Sequence, residues 1–127
     1  MYRFLLVCVG GAVGTAARYL VATAAPRLFG TSFPYGTLAV NVVGSFLLGV
    51  IMHVGLTTTL ISPTTRIVLA TGVMGGLTTY STFNYETLEF LRDGAVWLAG
   101  LNVAATIVLC LFAGAMGVVF ARWLLGS

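Results

Sequence analysis

A short stretch of residues 72–86 concentrates hydroxyl groups and aromatic rings in the middle of a long hydrophobic segment. Hydroxyls donate hydrogen bonds, and the edges of aromatic rings carry partial positive charge that attracts an anion. Two adjacent glycines, Gly75 and Gly76, precede these residues and weaken a helix. The pattern predicts a helix break near residues 75–79, with the following side chains beside it: Thr78, Thr79, Tyr80, Ser81, Thr82 and Phe83. Irregular backbone survives at membrane depth only inside protein or beside a water-filled cavity, so we expect an ion or substrate path here.

A break of this kind presents two kinds of backbone group. The incoming half-helix ends in free carbonyls, which suit a cation, and the outgoing half-helix begins with free N–H groups, which suit an anion. Tyr80 and Phe83 are three residues apart and therefore share a helix face. Their ring edges could contact a small anion, or the rings could serve as ordinary packing; the spacing alone does not decide.

Polar residues at a spacing of four continue the pattern in the neighbouring segments. Thr37, Asn41 and Ser45 fall on one face of the second segment. The Asn41 amide either lines a path or forms a hydrogen bond between helices, and the groups of the third segment favour the path. In the fourth segment, Asn102 and Thr106 either extend the polar lining or bond across helices.

Charged residues inside the segments are few. Arg18 interrupts the first segment and either faces inward or extends its guanidinium to the interface. The acids are Glu86, Glu89 and Asp93, all near the end of the third segment. Glu86 is the only candidate for a carboxylate near the membrane centre, although a position at the membrane surface is favoured.

Composition excludes several classes of function. Enzyme activity finds no support, because the chain has no Ser/His/Asp grouping, no metal-ligand spacing and no phosphate-binding loop. A net charge of +3, dispersed along the chain, is too small to indicate nucleic-acid binding.

The elements that position these residues are four hydrophobic segments. Apolar residues make up 59% of the chain and charged residues 7%, against about 25% charged in soluble domains. Mean hydropathy is +1.06. We therefore predict an all-α membrane protein with a single domain, residues 1–127, and four transmembrane helices, the third of them broken. Each is near the roughly 20 residues that a crossing needs; the predicted ranges are residues 4–25, 37–56, 67–91 and 95–125.

The arginines give no preferred orientation. With four crossings both termini share one side, which carries Arg3, Arg66 and Arg122, while Arg27 and Arg92 fall on the other, joined by Arg18 if its side chain extends outward. Loop arginines and lysines set orientation, so an even split permits insertion both ways and an antiparallel dimer; chance would also give such a tie. Pairs of small residues that allow close helix contact, between or within subunits, recur along the chain: Gly10 and Gly14, Gly72 and Gly76, and Ala113 and Gly117.

Three motifs together resemble the Fluc (CrcB) fluoride channel family. They are Gly10-Gly-Ala-Val-Gly followed by Arg18-Tyr, then Gly36-Thr-Leu-Ala-Val-Asn41-Val-Val-Gly-Ser, then Gly75-Gly-Leu-Thr-Thr-Tyr-Ser-Thr-Phe83. The likeness covers the whole chain, and the third motif is the most specific.

The resemblance implies a dual-topology homodimer in the inner cell membrane, with two pores that let fluoride leave the cytoplasm passively. It implies a structural, non-transported Na⁺ bound by the backbone carbonyls of Gly75 and Thr78. The family's pore residues match Asn41, Tyr80, Phe83, Ser81 and Thr82 here, with Arg18 matching the arginine of the first helix. Tyr80 departs from the more usual phenylalanine. Thr37, Ser45, Thr106 and Glu86 are further candidates for the pore lining.

Two other functions fit the same size and number of segments. A small multidrug-type, proton-coupled exporter would carry a carboxylate deep in the first helix, where this chain has only Arg18. A non-transporting membrane assembly subunit would not need polar residues aligned on two helices at one depth.

Overall fold

The computed structural model describes residues 1–127, which are helical almost throughout and contain no strand. Three helices are long and apolar enough to cross a membrane: α1, α2 and α6. Between α2 and α6 lies an interrupted helical segment, called here the third segment (residues 63–92), built from α3, a π-helical stretch, α4 and α5. The elements are α1 Tyr2–Phe29, α2 Tyr35–Thr57, α3 Pro63–Ile67, the π-helix Val68–Met74, α4 Gly75–Leu77, α5 Tyr80–Arg92 and α6 Val96–Leu125.

The long helices agree with the predicted segments: α1 and α2 extend slightly beyond them, and α6 begins one residue later than predicted. The first was predicted to stop before Pro26, yet α1 continues through it to Phe29. Proline lacks an N–H, so its own bond back into the helix is missing, but its carbonyl still accepts from the N–H of Gly30 at 3.0 Å. Gly30 then turns the chain with a φ of 84°, a conformation that glycine adopts without strain.

Most apolar side chains face outward. Only 17 of the 127 residues are buried, so α1 and α6 present large apolar side chains at their surfaces, as helices in lipid do. The interior of the single chain is made mostly of glycines and alanines, with a small apolar cluster of Val40, Met74 and Leu77 and a few polar residues.

α1 packs against the first half of the third segment through glycines. A methyl group on Gly14 would meet the carbonyl of Val73 and the N–H of Leu77, and one on Gly76 would meet the carbonyl of Gly11 and the N–H of Thr15. The two backbones therefore lie in direct contact, as small residues permit. Gly117 of α6 faces the backbone of Phe46 in α2 in the same way.

These contacts settle one of the questions that the sequence left open. The paired small residues serve helix contacts within one subunit. They therefore give no support to a dimer, which needs other arguments.

The break in the third segment is present, at one end of the stretch where it was predicted. Thr78 (φ −83°, ψ 155°) and Thr79 (φ −151°, ψ 115°) are extended, whereas Gly75 and Gly76 remain helical. The observed break therefore falls within the predicted stretch, but after the two glycines. Gly76 serves the contact with α1, and the helix ends after Leu77, the last residue of α4.

Candidate functional site

The side chain of Asn41 forms two hydrogen bonds with the backbone at the break. Its Nδ2 donates to the carbonyl of Thr79 at 3.0 Å, and its Oδ1 accepts from the N–H of Thr79 at 2.8 Å. Both residues are buried. One amide thus satisfies both backbone groups of an extended residue, as a neighbouring β-strand would. Asn41 therefore does form the interhelical hydrogen bond that was one of its two predicted roles.

These two bonds leave carbonyl groups free on the other side of the break. In a continuous helix the Thr79 N–H would bond to the carbonyl of Gly75, but here it donates to Asn41. The N–H and hydroxyl of Thr78 both donate to the carbonyl of Met74, each at 2.9 Å. No hydrogen bond ends on the carbonyl of Thr78. The carbonyls of Gly75 and Thr78 are thus available, and such oxygens suit a hard cation.

Thr79 also begins the second half of the segment. Its hydroxyl accepts from the N–H of Thr82 at 3.2 Å and so caps α5, and the same hydroxyl donates to the Thr82 hydroxyl at 3.0 Å. The Ser81 hydroxyl is 3.4 Å away. The sequence placed Thr79 beside the predicted break but gave it no role of its own in the site.

A cavity of about 500 Å³ opens beside the break. It contains seven predicted site residues: Asn41, Ser45, Gly75, Thr78, Tyr80, Phe83 and Thr106. The rings of Tyr80 and Phe83 meet edge to face, with centroids 5.7 Å apart and planes at 64°. Phe83 is buried and Tyr80 is 78% exposed, so only the Phe83 ring is held in place on several sides. The polar groups of this cavity carry no formal charge.

Thr79 separates this cavity from a second, of about 330 Å³, which Arg18, Thr37 and Thr82 also line. Thr37 and Thr82 in turn border a third cavity of about 370 Å³ that contains Glu86. Polar groups from α1, α2 and α5 therefore continue from one cavity to the next past the break. Ser81 is exposed and lines none of these three cavities.

Glu86 faces α2, near the start of that helix. Its Oε1 accepts from the hydroxyl of Thr37 at 2.6 Å. Its Oε2 is buried and has no hydrogen-bond partner. One carboxylate oxygen therefore stays available at the boundary of the third cavity.

Asn102 bonds across helices and does not join the cavity lining. Its Nδ2 donates to the hydroxyl of Thr87 in α5 at 3.0 Å. Thr106, one turn later, does border the first cavity. The sequence could not separate the two roles, because both residues lie on the same helical face.

These features define a class: a multi-pass, all-helical membrane protein with a broken helix that faces polar, mostly uncharged cavities. Residues 5–118 match the family described as CrcB-like protein, Camphor Resistance (CrcB). The chain belongs to this family.

Curated relatives match along the full length. A protein of Sorangium cellulosum named "Fluoride-specific ion channel FluC" is 55% identical, covering 100% of both chains. Proteins with the same name from Anaeromyxobacter sp. and Geobacter sulfurreducens are 52% and 50% identical, covering 99% and 98% of this chain and 100% of each relative. The resemblance noted from the three motifs is thereby confirmed.

Proposed function

We propose that this chain forms a fluoride-selective channel, not an enzyme, through which fluoride leaves the cytoplasm passively across the inner membrane. The observation that carries the proposal is the break at Thr78–Thr79, held by Asn41 beside a cavity with uncharged polar groups. The names of relatives that match over the full chain support the same ion.

The lining suits an anion that is small and strongly hydrated. A path must replace the water around the ion with other donors, and it must bind weakly enough to release it. Asn41 uses only one of its two amide protons on Thr79, so the other can face the cavity. The ring edge of Phe83 and the hydroxyls of Ser45 and Thr106 add contacts without a fixed charge.

Groups with charge occur only in the adjoining cavities. Arg18 borders the second cavity and would attract an anion towards the break. Glu86, with Thr37 as its partner, borders the third cavity, beside Thr82. Tyr80, Ser81 and Thr82 would contribute hydroxyls at the start of α5.

We further propose that two chains associate as an antiparallel homodimer with two pores. The first cavity opens at the surface of the single chain, where free carbonyls would otherwise face hydrocarbon at a cost of several kcal/mol each. A second copy over this surface would remove that cost. The even split of arginines permits the two opposite orientations.

A structural Na⁺ fits the centre of such a dimer. Gly75 and Thr78 offer two free carbonyls per chain, and two chains would supply four oxygen ligands. The bound cation would neutralise the carbonyl ends that meet there. A side chain on Gly75, which has open space around it in one chain, would enter this region. Gly75→Val should therefore weaken Na⁺-dependent dimerisation, and unchanged dimerisation in Na⁺ and in its absence would contradict the site.

Flux from liposomes tests the function. Purified protein in liposomes loaded with fluoride and chloride should release fluoride, measured with an ion-selective electrode, while retaining chloride. Release that is independent of a pH gradient supports a channel. Coupling to protons would favour the exporter, and the absence of any flux would favour the assembly subunit.

Labelling tests the dual orientation. The test uses a variant in which Cys8 and Cys110 are replaced and Ser127→Cys supplies the single cysteine. A membrane-impermeant maleimide should react with half of the copies when it is added to either side of sealed vesicles. Labelling from one side alone would contradict the antiparallel dimer.

A further inference from the structure

Asn102 is the most enclosed large side chain of the molecule. It is 1% exposed, although it is a full amide within a helix whose other buried residues are alanines and a glycine. A buried amide is costly unless it is hydrogen-bonded. It lines none of the three cavities described above, so lining the ion path does not account for it.

The amide of Asn102 is the first member of a relay to Phe83. Its Nδ2 donates to the Thr87 hydroxyl at 3.0 Å, and that hydroxyl donates to the backbone carbonyl of Phe83 at 2.8 Å. Because the single hydroxyl proton of Thr87 is used on Phe83, its lone pairs are left to accept from Asn102. The direction of both bonds is therefore fixed.

The bond from Asn102 to Thr87 is the one side-chain hydrogen bond that joins α6 to α5. The other two interhelical links of the region, Asn41 to Thr79 and Thr37 to Glu86, both come from α2. Both links constrain α5 on the side of α2 alone. α5 also packs against α6, and a hydrogen bond from α6 adds to that packing a directional constraint on the rotation of α5 about its own axis.

We propose that Asn102 and Thr87 are positioning residues that set the rotation of α5 and hence the direction of the Phe83 ring in the first cavity. The proposal rests on the proposed function in one respect, since it takes Phe83 to be a contact of the permeating anion. A rotation of α5 would displace that ring edge. It would leave the break, and the two hydrogen bonds between Asn41 and Thr79, intact.

The direction of the ring can be measured without any flux. With 4-fluorophenylalanine at position 83, the ¹⁹F resonance should shift or split in Asn102→Leu and in Thr87→Val. Thr87→Ser, which keeps the hydroxyl, should retain the wild-type resonance. Thr23→Val is the matched control, because Thr23 makes a hydroxyl–carbonyl bond on exposed α1. An unmoved resonance in both Asn102→Leu and Thr87→Val would overturn the proposal.

Fluoride flux then tests the consequence. Asn102→Leu and Thr87→Val should each reduce efflux by a few-fold, which is the scale of one interhelical hydrogen bond. The double variant should be no slower than either single one, because both changes cut the same relay. Additive losses, or a loss in Thr87→Ser equal to that in Thr87→Val, would contradict it.

The outcomes separate the two proposals. A wild-type protein that releases no fluoride would remove the proposed function, while the ¹⁹F measurement would still decide the role of Asn102. If Asn102→Leu fails to fold, the pair Thr87→Val and Thr87→Ser decides the role of the relay. Valine keeps the shape of threonine, and serine keeps its hydroxyl.

Discussion

The two halves of the third segment are held in the molecule by different means. The first half, up to Leu77, lies with its backbone against that of α1, where Gly14 and Gly76 leave no room for a side chain. The second half, α5, is held by side-chain hydrogen bonds from two helices: Asn41 and Thr37 of α2, and Asn102 of α6. The break lies where one kind of contact gives way to the other.

The difference shows how one segment can both pack tightly against a neighbouring helix and line polar cavities. Backbone contact excludes everything else from an interface, including water and ions. Hydrogen bonds between side chains hold a helix at a distance and leave polar space beside it. The cavities that contain Phe83, Thr82 and Glu86 all lie along α5. We therefore expect changes in the first half to affect folding, and changes around α5 to affect conduction.

The largest effect is expected for Gly76→Val. Its side chain would meet the carbonyl of Gly11 and the N–H of Thr15, which belong to the backbone of α1 and cannot move aside. Overpacking of this kind costs about 1–3 kcal/mol or more. The variant should fail to give a monodisperse peak in size-exclusion chromatography. Gly100→Val, at a glycine with open space around it, is the control and should behave like wild type; equal behaviour of the two variants would contradict the tight contact.

Asn41→Ala should come next, with a loss of conduction. It leaves the N–H and carbonyl of Thr79 without partners, at about 1–3 kcal/mol for each buried group. Fluoride efflux should fall by at least about tenfold, given that 1.4 kcal/mol corresponds to a factor of ten, while the protein still elutes as an assembled species. Asn84→Ala, which removes an exposed amide from α5, serves as the control. Normal efflux from Asn41→Ala would exclude this residue from the path.

Thr37→Val should give a smaller loss. It removes the bond to Oε1 of Glu86 and leaves that carboxylate without a hydrogen-bond partner, because Oε2 already has none. We expect efflux to fall by a few-fold, in line with about 0.6–2 kcal/mol for one interhelical hydrogen bond. Thr37→Ser keeps the hydroxyl and should conduct normally. A Ser variant as slow as the Val variant would show that packing, not the bond, matters at this position.

Glu89→Gln should have the smallest effect. The ion pair between Glu89 and Arg92 is 2.7 Å long, but both side chains are substantially exposed. Such surface pairs contribute about 0–1 kcal/mol. Neither the melting temperature nor the fluoride efflux should change measurably. A clear loss of efflux would indicate that this carboxylate, which borders the third cavity, takes part in conduction.

The sequence predicted the parts of the fold that depend on hydrophobicity. Runs of apolar residues placed the long helices to within a few residues, apart from the extension of α1 through Pro26. The break was predicted from glycines and hydroxyl residues, yet its position depends on α1. Gly76 stays helical because it packs against Gly11, a tertiary contact that helix propensity does not contain. The π-helix Val68–Met74 left no recognisable pattern in the sequence.

The sequence predicted which residues belong to the site better than it predicted the contacts between them. Spacing by four placed Asn41 and Ser45 on one face, and both border the first cavity. Spacing could not show that Asn41 would bond to both backbone groups of Thr79, because an amide in a membrane helix can bond to whichever neighbour lies beside it. The same holds for Asn102, whose partner Thr87 became evident only from the packing of α5 on α6. Ser81, predicted in the path, is exposed in the single chain, and its part in conduction stays a prediction.

The reversal potential of the current through the reconstituted protein tests the central claim most directly. A planar bilayer would separate solutions with opposite gradients of fluoride and chloride, at equal pH. The account predicts a steady current that reverses at the equilibrium potential of fluoride. A reversal at the potential of chloride, or a membrane that stays silent, would contradict it.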